Sequence, residues 1–423
     1  MKPKPFSVPK LLYNLFLIIY PFAIRLISPF NQKAKQWISG RKNLLQKIKQ
    51  AIPEGQKTIW MHCSSLGEFE QGRPVIEKLK IQYPAYKIII TFFSPSGYEV
   101  RKNYTGADYI FYLPMDGKKN AIAFFDIVRP SLVIYVKYEF WYYYLQEAKN
   151  RKVPLLLISA IFRKNQPFFA SYGQFHRTML SCFTHFFVQN EASVALLAGI
   201  GFNNVSFSGD TRFDRVVEIA NELKTFPEIK GFCGNSDVII AGSTWTEDDK
   251  ELDHFANTRK DVKFIIAPHN IVSDRIKECL HLYKNAILFS SLPQKGNAEE
   301  KNTLIIDNVG MLSSLYNYAT VCYVGGGFGA DGVHNVLEAA VYGKPVVFGP
   351  EYDKFMEAVE LVENGGAVSV SNTLELEHTL DHLLQKNAAY FEKCKAAKQY
   401  VYSKQGATER IVAFIYANRL LTT

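Results

Sequence analysis

The sequence predicts an α/β protein that contains two doubly wound, parallel sheets. From about residue 57 onward, short apolar runs alternate with amphipathic stretches, and the same alternation restarts near residue 238. Strands that are apolar on both faces and separated by helices imply a parallel sheet covered by helices on both sides. A chain of 423 residues, 48% hydrophobic and 21% charged, is long and apolar enough for two such domains.

Residues 1–45 form an N-terminal segment with a different pattern. Leu11–Phe30 is mostly apolar and has the length of a membrane span, but it is interrupted by polar residues and prolines: Asn14, Pro21, Arg25 and Pro29. A cleaved signal peptide is the main alternative, although no small-x-small cleavage site follows closely. We therefore expect an uncleaved anchor or an interfacial helix, since its aromatic residues suit a headgroup boundary.

Positive charge is concentrated in the same region. The net charge is +9, and residues 1–50 hold ten of the 49 basic residues and no Asp or Glu, so the rest of the chain carries 39 basic against 40 acidic residues. The ten are Lys2, Lys4, Lys10, Arg25, Lys33, Lys35, Arg41, Lys42, Lys47 and Lys49. A nucleic-acid binder would spread its charge over a domain face. Clustering around an apolar segment indicates an anionic membrane surface as the partner, and a solvated basic N-terminus is the plainer alternative.

The six cysteines are not arranged as a disulfide framework or a metal site. There is no CxxC pair, and no His/Cys cluster has zinc spacing. The sequence thus predicts a reducing compartment and no bound metal.

The apolar runs predict seven strands in each sheet. Those of the first are Thr58–His62, Lys87–Phe93, Tyr109–Tyr112, Leu132–Val136, Pro154–Ile158, His185–Val188 and Val205–Phe207. Those of the second are Val238–Ala241, Lys263–Ala267, Ala286–Phe289, Leu304–Ile306, Val321–Val324, Pro345–Phe348 and Ala367–Val370. Helical patterns lie between them, for example at Glu68–Gln82, Trp141–Arg151 and Glu191–Ala198.

These elements define the predicted domains. The first covers residues 46–208 and the second residues 209–394, with a hinge at Ser208–Asp210 and a terminal helix in residues 395–423. Ligands of open α/β sheets bind beyond the carboxyl ends of the strands. Two such sheets facing a central cleft could hold two substrates, one in each domain.

A glycine run follows a predicted strand of the second domain. Gly325, Gly326 and Gly327 come directly after Val324, and an apolar helix begins soon afterwards. Glycines allow a ligand to approach the backbone, and the start of a helix attracts phosphate; a tight structural turn is the alternative. Asn335 and Glu338 lie three residues apart in this region. Glu338 could accept hydrogen bonds from ribose hydroxyls, or it could be a first-turn Glu favoured by the helix dipole.

Two further positions could contact a phosphate. Ser243 and Thr244 follow a strand and precede a helix, so they could bind phosphate or simply cap that helix. Arg212 follows the predicted hinge, and it could reach a phosphate or pair with Asp210 or Asp214.

Two carboxylates are expected at the edge of the first sheet. Ser65 and Glu68 form a capping box, but Glu68 could also be the general base that takes a proton from an attacking hydroxyl. A helix start lowers the pKa of a carboxylate and burial raises it, so the sequence leaves the balance open. Glu139 follows Leu132–Val136 and should lie on the same edge, as part of the site or as a surface Glu at a helix start.

Taken together, these motifs resemble those of the bacterial 3-deoxy-D-manno-octulosonic acid (Kdo) transferase family. The resemblance covers about residues 58–360, with seven motifs in the family's order. They are Ser64–Glu68, Glu139–Trp141, Gly209–Asp214, Gly242–Trp245, Asp307–Gly310, Gly325–Gly327 and His334–Glu338. An apolar anchor before the first domain also matches.

The resemblance implies a GT-B glycosyltransferase fold of two Rossmann-like domains and an inverting transfer of Kdo from CMP-Kdo to a lipid A precursor. It implies no cofactor, no metal and no nucleic-acid partner, and a location on the cytoplasmic face of the inner membrane of a Gram-negative-type bacterium. Glu68 would be the base, and Glu139 would hold the acceptor or the base. Acceptor contacts would come from Ser64, Ser65 and Gly67. Donor contacts would come from Arg212, Ser243, Thr244, Pro268, His269, Gly310, Gly325, Gly326, Asn335 and Glu338.

The chain departs from the family pattern at two places. The family usually has Pro-Arg-His where this chain has Pro268-His269, so one basic donor contact is missing or supplied elsewhere. Tyr142 follows Trp141 where Pro is common, which changes a helix start. Two other functions stay open: a GT-B transferase that uses a UDP-sugar on a lipid or cell-wall precursor, and an inactive binding protein. Competition by CMP rather than UDP would separate the two enzymes, and retention of both glutamates argues against the inactive protein.

Overall fold

The computed structural model describes residues 8–294 and 300–422. The chain divides into two compact units. The first comprises the residues up to Asp214 together with those from Gly406 onward, and the second runs from Arg215 to Gln405. Lys2 and Lys4 of the basic cluster, and the outermost residues of segments 1–45 and 395–423, lie outside the described residues.

The first unit contains a seven-stranded sheet. Its strands are β1 (Thr58–Cys63), β2 (Lys87–Phe92), β3 (Tyr109–Tyr112), β4 (Pro130–Val136), β5 (Leu155–Ala160), β6 (His185–Val188) and β7 (Val205–Phe207). They are parallel and lie in the order β3-β2-β1-β4-β5-β6-β7. Met61 of β1 is opposite Ile90 of β2 and Ile134 of β4.

Helices cover both faces of this sheet. They are α1 (Val8–Ile27), α2 (Gln32–Arg41), α3 (Leu44–Ala51), α4 (Leu66–Gln82), α5 (Pro95–Arg101), α6 (Lys118–Val128), α7 (Tyr142–Asn150), α8 (Gln174–Leu180) and α9 (Glu191–Ala198). Successive side chains of a strand point to opposite faces. Trp60 therefore joins the core with α3, α6 and α7, whereas Ile59 and Met61 join the core with α4.

The second unit also has a seven-stranded parallel sheet. Its strands are β8 (Asp237–Thr244), β9 (Val262–Pro268), β10 (Ala286–Leu288), β11 (Thr303–Ile305), β12 (Val321–Val324), β13 (Val346–Phe348) and β14 (Ala367–Ser369), in the order β10-β11-β9-β8-β12-β13-β14. Each of the fourteen predicted strands overlaps one of these, which confirms the prediction of two doubly wound α/β domains.

Helix α10 (Thr211–Asn221) runs across the boundary between the units. The helices that follow are α11 (Pro227–Cys233), α12 (Thr246–Thr258), α13 (Ser273–Leu282), α14 (Leu312–Leu315), α15 (Leu337–Ala340), α16 (Met356–Glu363), α17 (Thr373–Leu384), α18 (Ala388–Ser403) and α19 (Ala407–Ala417). Short 3-10 turns lie at Pro167–Phe169, Phe289–Gln294 and Tyr316–Tyr318.

The prediction of one terminal helix is wrong. The chain instead forms α18 in the second unit and α19 in the first, and it turns between them at Gly406, which has a φ of +103°. Glycine adopts this left-handed conformation without the steric cost that other residues meet. Ile411 and Ile415 of α19 lie in the same core as β1 and α4.

Helix α1 lies along the surface of the first unit. Its half-buried residues recur at roughly helical spacing along its length: Pro9, Lys10, Tyr13, Asn14, Leu17, Tyr20, Pro21, Ala23 and Ile24. The other face exposes large apolar side chains: Leu11, Leu12, Leu15, Phe16, Ile18, Ile19, Phe22 and Leu26. Among the described residues, α1 is the one helix long and apolar enough to cross a membrane.

Arg41 differs from the other members of the basic cluster. Its guanidinium lies 4.0 Å from the Trp37 ring and donates to the carbonyl oxygens of Phe93 at 2.8 Å and Leu113 at 2.9 Å. Arg41 therefore does not face a membrane as the basic cluster was predicted to do, because its side chain holds α2 against the first sheet.

Candidate functional site

The first sheet reverses its strand order between β1 and β4, which are hydrogen-bonded neighbours. In a doubly wound sheet, ligands bind beyond the carboxyl ends of the strands at such a switch point. Ser64–Glu68 follows β1 and Lys137–Trp141 follows β4. Both predicted carboxylates, Glu68 and Glu139, therefore lie at this edge of the sheet.

Glu68 lies in the first turn of α4, and its carboxylate accepts a hydrogen bond from the Ser64 backbone N–H. Ser65, the N-cap residue, makes no side-chain bond to the helix, so only half of the predicted capping box is present. Burial and then the charge of Glu139 raise the pKa of Glu68 to about 7, against the opposing effect of the Ser64 and Ser65 N–H groups. Burial thus outweighs the helix start, and Glu68 can exchange a proton near neutral pH.

Glu139 is held by several donors. Its Oε2 accepts from the indole N–H of Trp141 and lies 3.3 Å from Nε2 of His62. Burial raises the pKa of Glu139, but hydrogen bonds from His62, Ser64 and Trp141 outweigh it and hold the pKa below its ordinary value. The carboxylate is therefore stabilised in its charged form.

His62 is a member of this site that the sequence reasoning missed. It is completely buried at the end of β1, and its Nδ1 lies 2.9 Å from the Thr91 hydroxyl. That hydroxyl also accepts from the Trp60 indole N–H at 2.8 Å, and Nδ1 of His62 lies 3.2 Å from the Thr91 carbonyl oxygen. Because a charged carboxylate only accepts hydrogen bonds, the contact of His62 with Glu139 is a donation from the Nε2–H of His62. The sequence feature that could have identified His62 is a histidine near the end of an otherwise apolar strand.

The surroundings of the two glutamates make them chemically different. Glu68 tends to hold a proton near pH 7, while Glu139 stays charged. Two titratable groups whose pKa values are pushed apart can take separate acid–base roles. The predicted acceptor contacts lie on the same loop: Ser64 and Ser65 are half-buried, and Gly67 is exposed, with open space where a Cβ would be.

Arg212 belongs to the first unit, whereas the other predicted donor contacts lie in the second. Its guanidinium pairs with Asp210 at 2.8 Å, and its backbone N–H donates to the same carboxylate at 2.9 Å. Gln71 of α4 also approaches Asp210, at 3.4 Å. Arg212 therefore forms the ion pair with Asp210 that the sequence analysis gave as the alternative to a phosphate contact.

The second sheet has its own switch point, between β8 and β12. Asp248, a fully buried residue of α12 that the sequence reasoning missed, joins the segments that follow these strands. Its carboxylate accepts from the backbone N–H groups of Trp245 and Gly326, each at 2.8 Å, and from the Tyr323 hydroxyl at 2.8 Å. These bonds fix the predicted phosphate-binding segments relative to each other.

The glycine run allows two stretches of backbone to meet. A Cβ on Gly325 would lie 2.5 Å from the Ser243 carbonyl oxygen, and one on Gly327 would lie 2.5 Å from the Gly349 nitrogen. Gly326 has a φ of +94°. Close packing of the backbone therefore requires glycine at these positions. The alternative of a tight structural turn thus explains the glycine run without a ligand.

Three aromatic rings stack beside this switch point. The ring of His269 lies 4.4 Å from those of Trp245 and His334, and the Trp245 indole N–H donates to Nε2 of His334 at 3.0 Å. Burial, followed by the neighbouring His269, lowers the pKa of His334 to about 4, and burial also lowers the pKa of His269. Both imidazoles are consequently neutral at pH 7.

A pocket of about 490 Å³ lies within the second unit, next to the stack. Of the predicted donor contacts, it brings together Ser243, Pro268, His269 and Gly310. Its apolar lining includes Ile271, Val272 and Val309, which are exposed. Ser243 has a φ of +57°, at an irregularity in the pairing of β8 with β9. The pocket has the size of a small-molecule site.

The remaining predicted donor contacts do not line this pocket. Thr244 is completely buried, which argues against its hydroxyl as a direct ligand in this conformation. Asn335 donates to Glu338 at 3.0 Å and caps the start of α15 through the Leu337 N–H at 3.2 Å. Their roles in binding, like those of Gly325 and Gly326, stay predictions.

A search of the described residues for three or more His, Cys, Asp or Glu side chains arranged to hold a metal ion finds none.

A family model described as 3-Deoxy-D-manno-octulosonic-acid transferase (kdotransferase) matches residues 39–215. The chain is 26% identical to the 3-deoxy-D-manno-octulosonic acid transferase of Aquifex aeolicus, over 83% of this chain and 93% of that protein. It is 24% identical to the protein so named in Haemophilus influenzae, over 94% of this chain and 96% of that protein.

A longer relative matches almost the whole chain. The bifunctional glycosyltransferase/methyltransferase of Fusobacterium nucleatum is 25% identical over 97% of this chain, which spans only 62% of that protein.

Solved structures are similar in fold. The UDP-GlcNAc 2-epimerase of Neisseria meningitidis superposes with a TM-score of 0.61 and 17% identity, over 86% of this chain and all (100%) of that one. A glycosyltransferase of Rickettsia africae gives a TM-score of 0.56 and 15% identity, over 87% of this chain and 100% of that one. The architecture is of the GT-B type, and the sequence relatives and the family model over residues 39–215 make the chain similar to the 3-deoxy-D-manno-octulosonic acid transferases, which are glycosyltransferases.

Proposed function

We propose that the protein transfers Kdo from CMP-Kdo to a lipid A precursor, with inversion at the anomeric carbon, in lipopolysaccharide core biosynthesis. The relatives named as Kdo transferases support the donor sugar. One observation carries the mechanism: Glu68 lies at the switch point of the first sheet, with its pKa raised to about 7. A direct displacement needs a base for the attacking hydroxyl, and a base with a pKa near the working pH is effective.

Glu139 has a different part in this mechanism. Its carboxylate is fixed by His62 and Trp141 and stays charged, so its negative field raises the pKa of Glu68. A charged, rigid carboxylate can also accept hydrogen bonds from hydroxyls of a sugar acceptor. We therefore assign proton abstraction to Glu68 and support of the base or the acceptor to Glu139.

CMP-Kdo would occupy the pocket of the second unit. The neutral His269 ring lies in its lining, and Ser243 and Gly310 offer polar contacts. The proposal includes transfer without a metal ion or cofactor. Activity that persists in EDTA is the expected result, and a requirement for added Mg²⁺ would contradict it.

The exposed apolar face of α1 would bind the membrane that contains the lipid acceptor. The opposite face of α1 is packed along the first unit, which favours a helix lying in the headgroup region over one that crosses the bilayer. Lys33, Lys35 and Lys42 follow on the chain and carry the charge for anionic lipid. The proposed location of the enzyme is the cytoplasmic face of the inner membrane.

Transfer from CMP-Kdo, generated in situ, to a tetraacylated lipid A precursor in detergent tests the reaction. Mass spectrometry should show gains of one Kdo mass with the wild type and none with Glu68→Gln. The same precursor should gain no mass with UDP-sugars, and CMP should compete better than UDP. Transfer from a UDP-sugar would instead support the alternative GT-B transferase.

Membrane binding has a separate test. Ile18→Ser should reduce co-sedimentation with anionic vesicles, because it removes an apolar side chain that is 71% exposed on α1. Leu374→Ser, at a Leu that is 79% exposed on α17, is the matched control and should bind as the wild type does. Equal losses in the two variants would show that α1 is not the binding surface.

A further inference from the structure

Helix α7 starts directly after the segment that carries Glu139, and it has no cap of its own. Its N-cap residue, Trp141, makes no side-chain bond to the helix. The first N–H groups of a helix have no partner within it, so a buried helix start needs acceptors from elsewhere. Distant parts of the chain supply them here.

Two side chains provide these acceptors. The Tyr13 hydroxyl of α1 accepts from the Tyr142 N–H at 3.1 Å. The Asp116 carboxylate accepts from the N–H groups of Tyr143 at 3.1 Å and Tyr144 at 3.3 Å. Tyr13 in turn donates its hydroxyl proton to Asp116 at 2.6 Å. One phenol hydroxyl therefore completes the cap and also orients the carboxylate that provides the rest of it.

A second hydrogen bond and ring contacts strengthen this junction. The Tyr143 hydroxyl donates to the Asn14 side chain of α1 at 2.7 Å. The Tyr13 ring packs against Tyr142, with centroids 6.0 Å apart, and against Phe175 at 5.8 Å. Helix α1 is thus joined to the start of α7 through both polar and aromatic contacts.

The start of α7 is only three residues from Glu139. Trp141, the residue before the helix, donates its indole N–H to Glu139 and packs on Phe93 with centroids 4.5 Å apart. A change at the first turn of α7 would therefore be passed to Trp141 and from there to the Glu139 carboxylate. An active-site group is only as precise as the contacts that support it.

We propose that Tyr13 is a positioning residue for the transfer reaction, which acts by capping α7 and so fixing Trp141 and Glu139. The inference rests on the proposed function for its kinetic consequence. It assigns to the N-terminal helix a role inside the first unit, in addition to any role at a membrane.

The test compares Tyr13→Phe with Tyr172→Phe, which removes the hydroxyl of a Tyr that is 73% exposed in the first unit, in detergent. Tyr13→Phe should lower kcat roughly tenfold, the effect of one lost hydrogen bond, with the KM for CMP-Kdo unchanged. Amide hydrogen exchange of Tyr142–Tyr144 should become faster in Tyr13→Phe alone. Tyr172→Phe should keep the wild-type kcat and exchange.

Three results would overturn the inference. They are an unchanged kcat in Tyr13→Phe, a lower kcat without faster exchange at Tyr142–Tyr144, and an equal fall of kcat in Tyr172→Phe. If Tyr13→Phe does not fold, Asp116→Asn weakens the same cap at its other acceptor, and wild-type kcat and exchange at Tyr142–Tyr144 in that variant would overturn the inference. If the wild type transfers no Kdo, the proposed function fails, while the exchange data still decide whether Tyr13 caps α7.

Discussion

Glu68 and Glu139 follow neighbouring strands, yet their carboxyl groups differ in chemistry. The pKa of Glu68 is raised by burial and by Glu139, and the pKa of Glu139 is lowered by its hydrogen-bond donors. The same residue type thus has two different pKa shifts because the contacts around each carboxylate differ. The difference between the pKa values of these two residues should be measurable in the pH dependence of activity and of stability.

The pH dependence of kcat/KM should report the ionisation of Glu68. We expect kcat/KM to rise with pH and to level off above about pH 7, because the base must lose its proton first. Glu139→Gln should move the midpoint to lower pH, since it removes the charge that raises the pKa of Glu68. Glu70→Gln, on the same helix and paired with Arg101, is the control and should keep the midpoint. A midpoint that does not move in Glu139→Gln would contradict the coupling.

Glu68→Gln should remove transfer activity but increase stability at high pH. The folded-state pKa of Glu68 is raised to about 7, so the folded protein binds this proton more tightly than the unfolded chain does. Its contribution to stability is therefore lost as the pH rises from about 4.5 to 7. Urea unfolding at pH 8 should show the variant more stable by about 1–3 kcal/mol, with no difference at pH 4.5. A variant that is less stable at pH 8 would show that Glu68 is well solvated.

The sequence contains enough to select Glu68 and Glu139, but not the residues that fix them. Both glutamates follow apolar runs, so the position at a strand end can be inferred from pattern alone. The Thr91 hydroxyl is 29 positions from His62, and Asp116 is 103 positions from Tyr13. Such pairings depend on the packing of the whole unit, which periodicity does not encode.

At the scale of elements, the strands could be predicted because their burial is simple. A strand covered on both faces appears as a short continuous apolar run, and each of the fourteen runs became a strand. The terminal helices were harder to predict, since Ala388–Ser403 and Ala407–Ala417 are separated by only three residues. Their division depends on Gly406 and on where each helix packs, and only the first of these is visible in the sequence.

The contact between the glycine run and β8 can be tested by adding a methyl group. Gly325→Ala would place a Cβ 2.5 Å from the Ser243 carbonyl oxygen and 2.6 Å from the Thr244 Cα. We expect a loss of about 1–3 kcal/mol in the stability of the second unit, with weaker donor binding. Gly329→Ala is the matched control, because its nearest contact is at 3.5 Å. Thermal unfolding that is unchanged in Gly325→Ala would show that the two segments can separate without cost.

At the scale of the molecule, the first unit is built from two distant parts of the chain. Helix α19 returns to it after the whole second unit, and Ile411 and Ile415 are completely buried there. Asp214 accepts from the Thr408 N–H at 2.6 Å, and Arg410 donates to the Ser208 carbonyl oxygen at 2.7 Å. The last residues of the sequence therefore help to hold the sheet that carries the two glutamates.

Calorimetry can show which unit α19 stabilises. Ile411→Ala should lower the stability of the first unit by about 2–5 kcal/mol, the usual effect of truncating a buried Ile. Tyr416→Ala on the same helix, at a residue that is 71% exposed, should change it by less than about 0.5 kcal/mol. The calorimetric transition of the second unit should stay unchanged. A shift in that transition alone would place α19 with the other unit.

The return of α19 also has a consequence for synthesis of the protein on the ribosome. Translation proceeds from the N-terminus at about 5–20 residues per second. The first unit begins to emerge before the second, yet it lacks Ile411 and Ile415 of its core until α19 has left the exit tunnel. A polypeptide released early, before residue 406, would contain both glutamates on an unfinished scaffold. The cell would then recognise truncated copies as unstable chains and degrade them, instead of accumulating partly active enzyme.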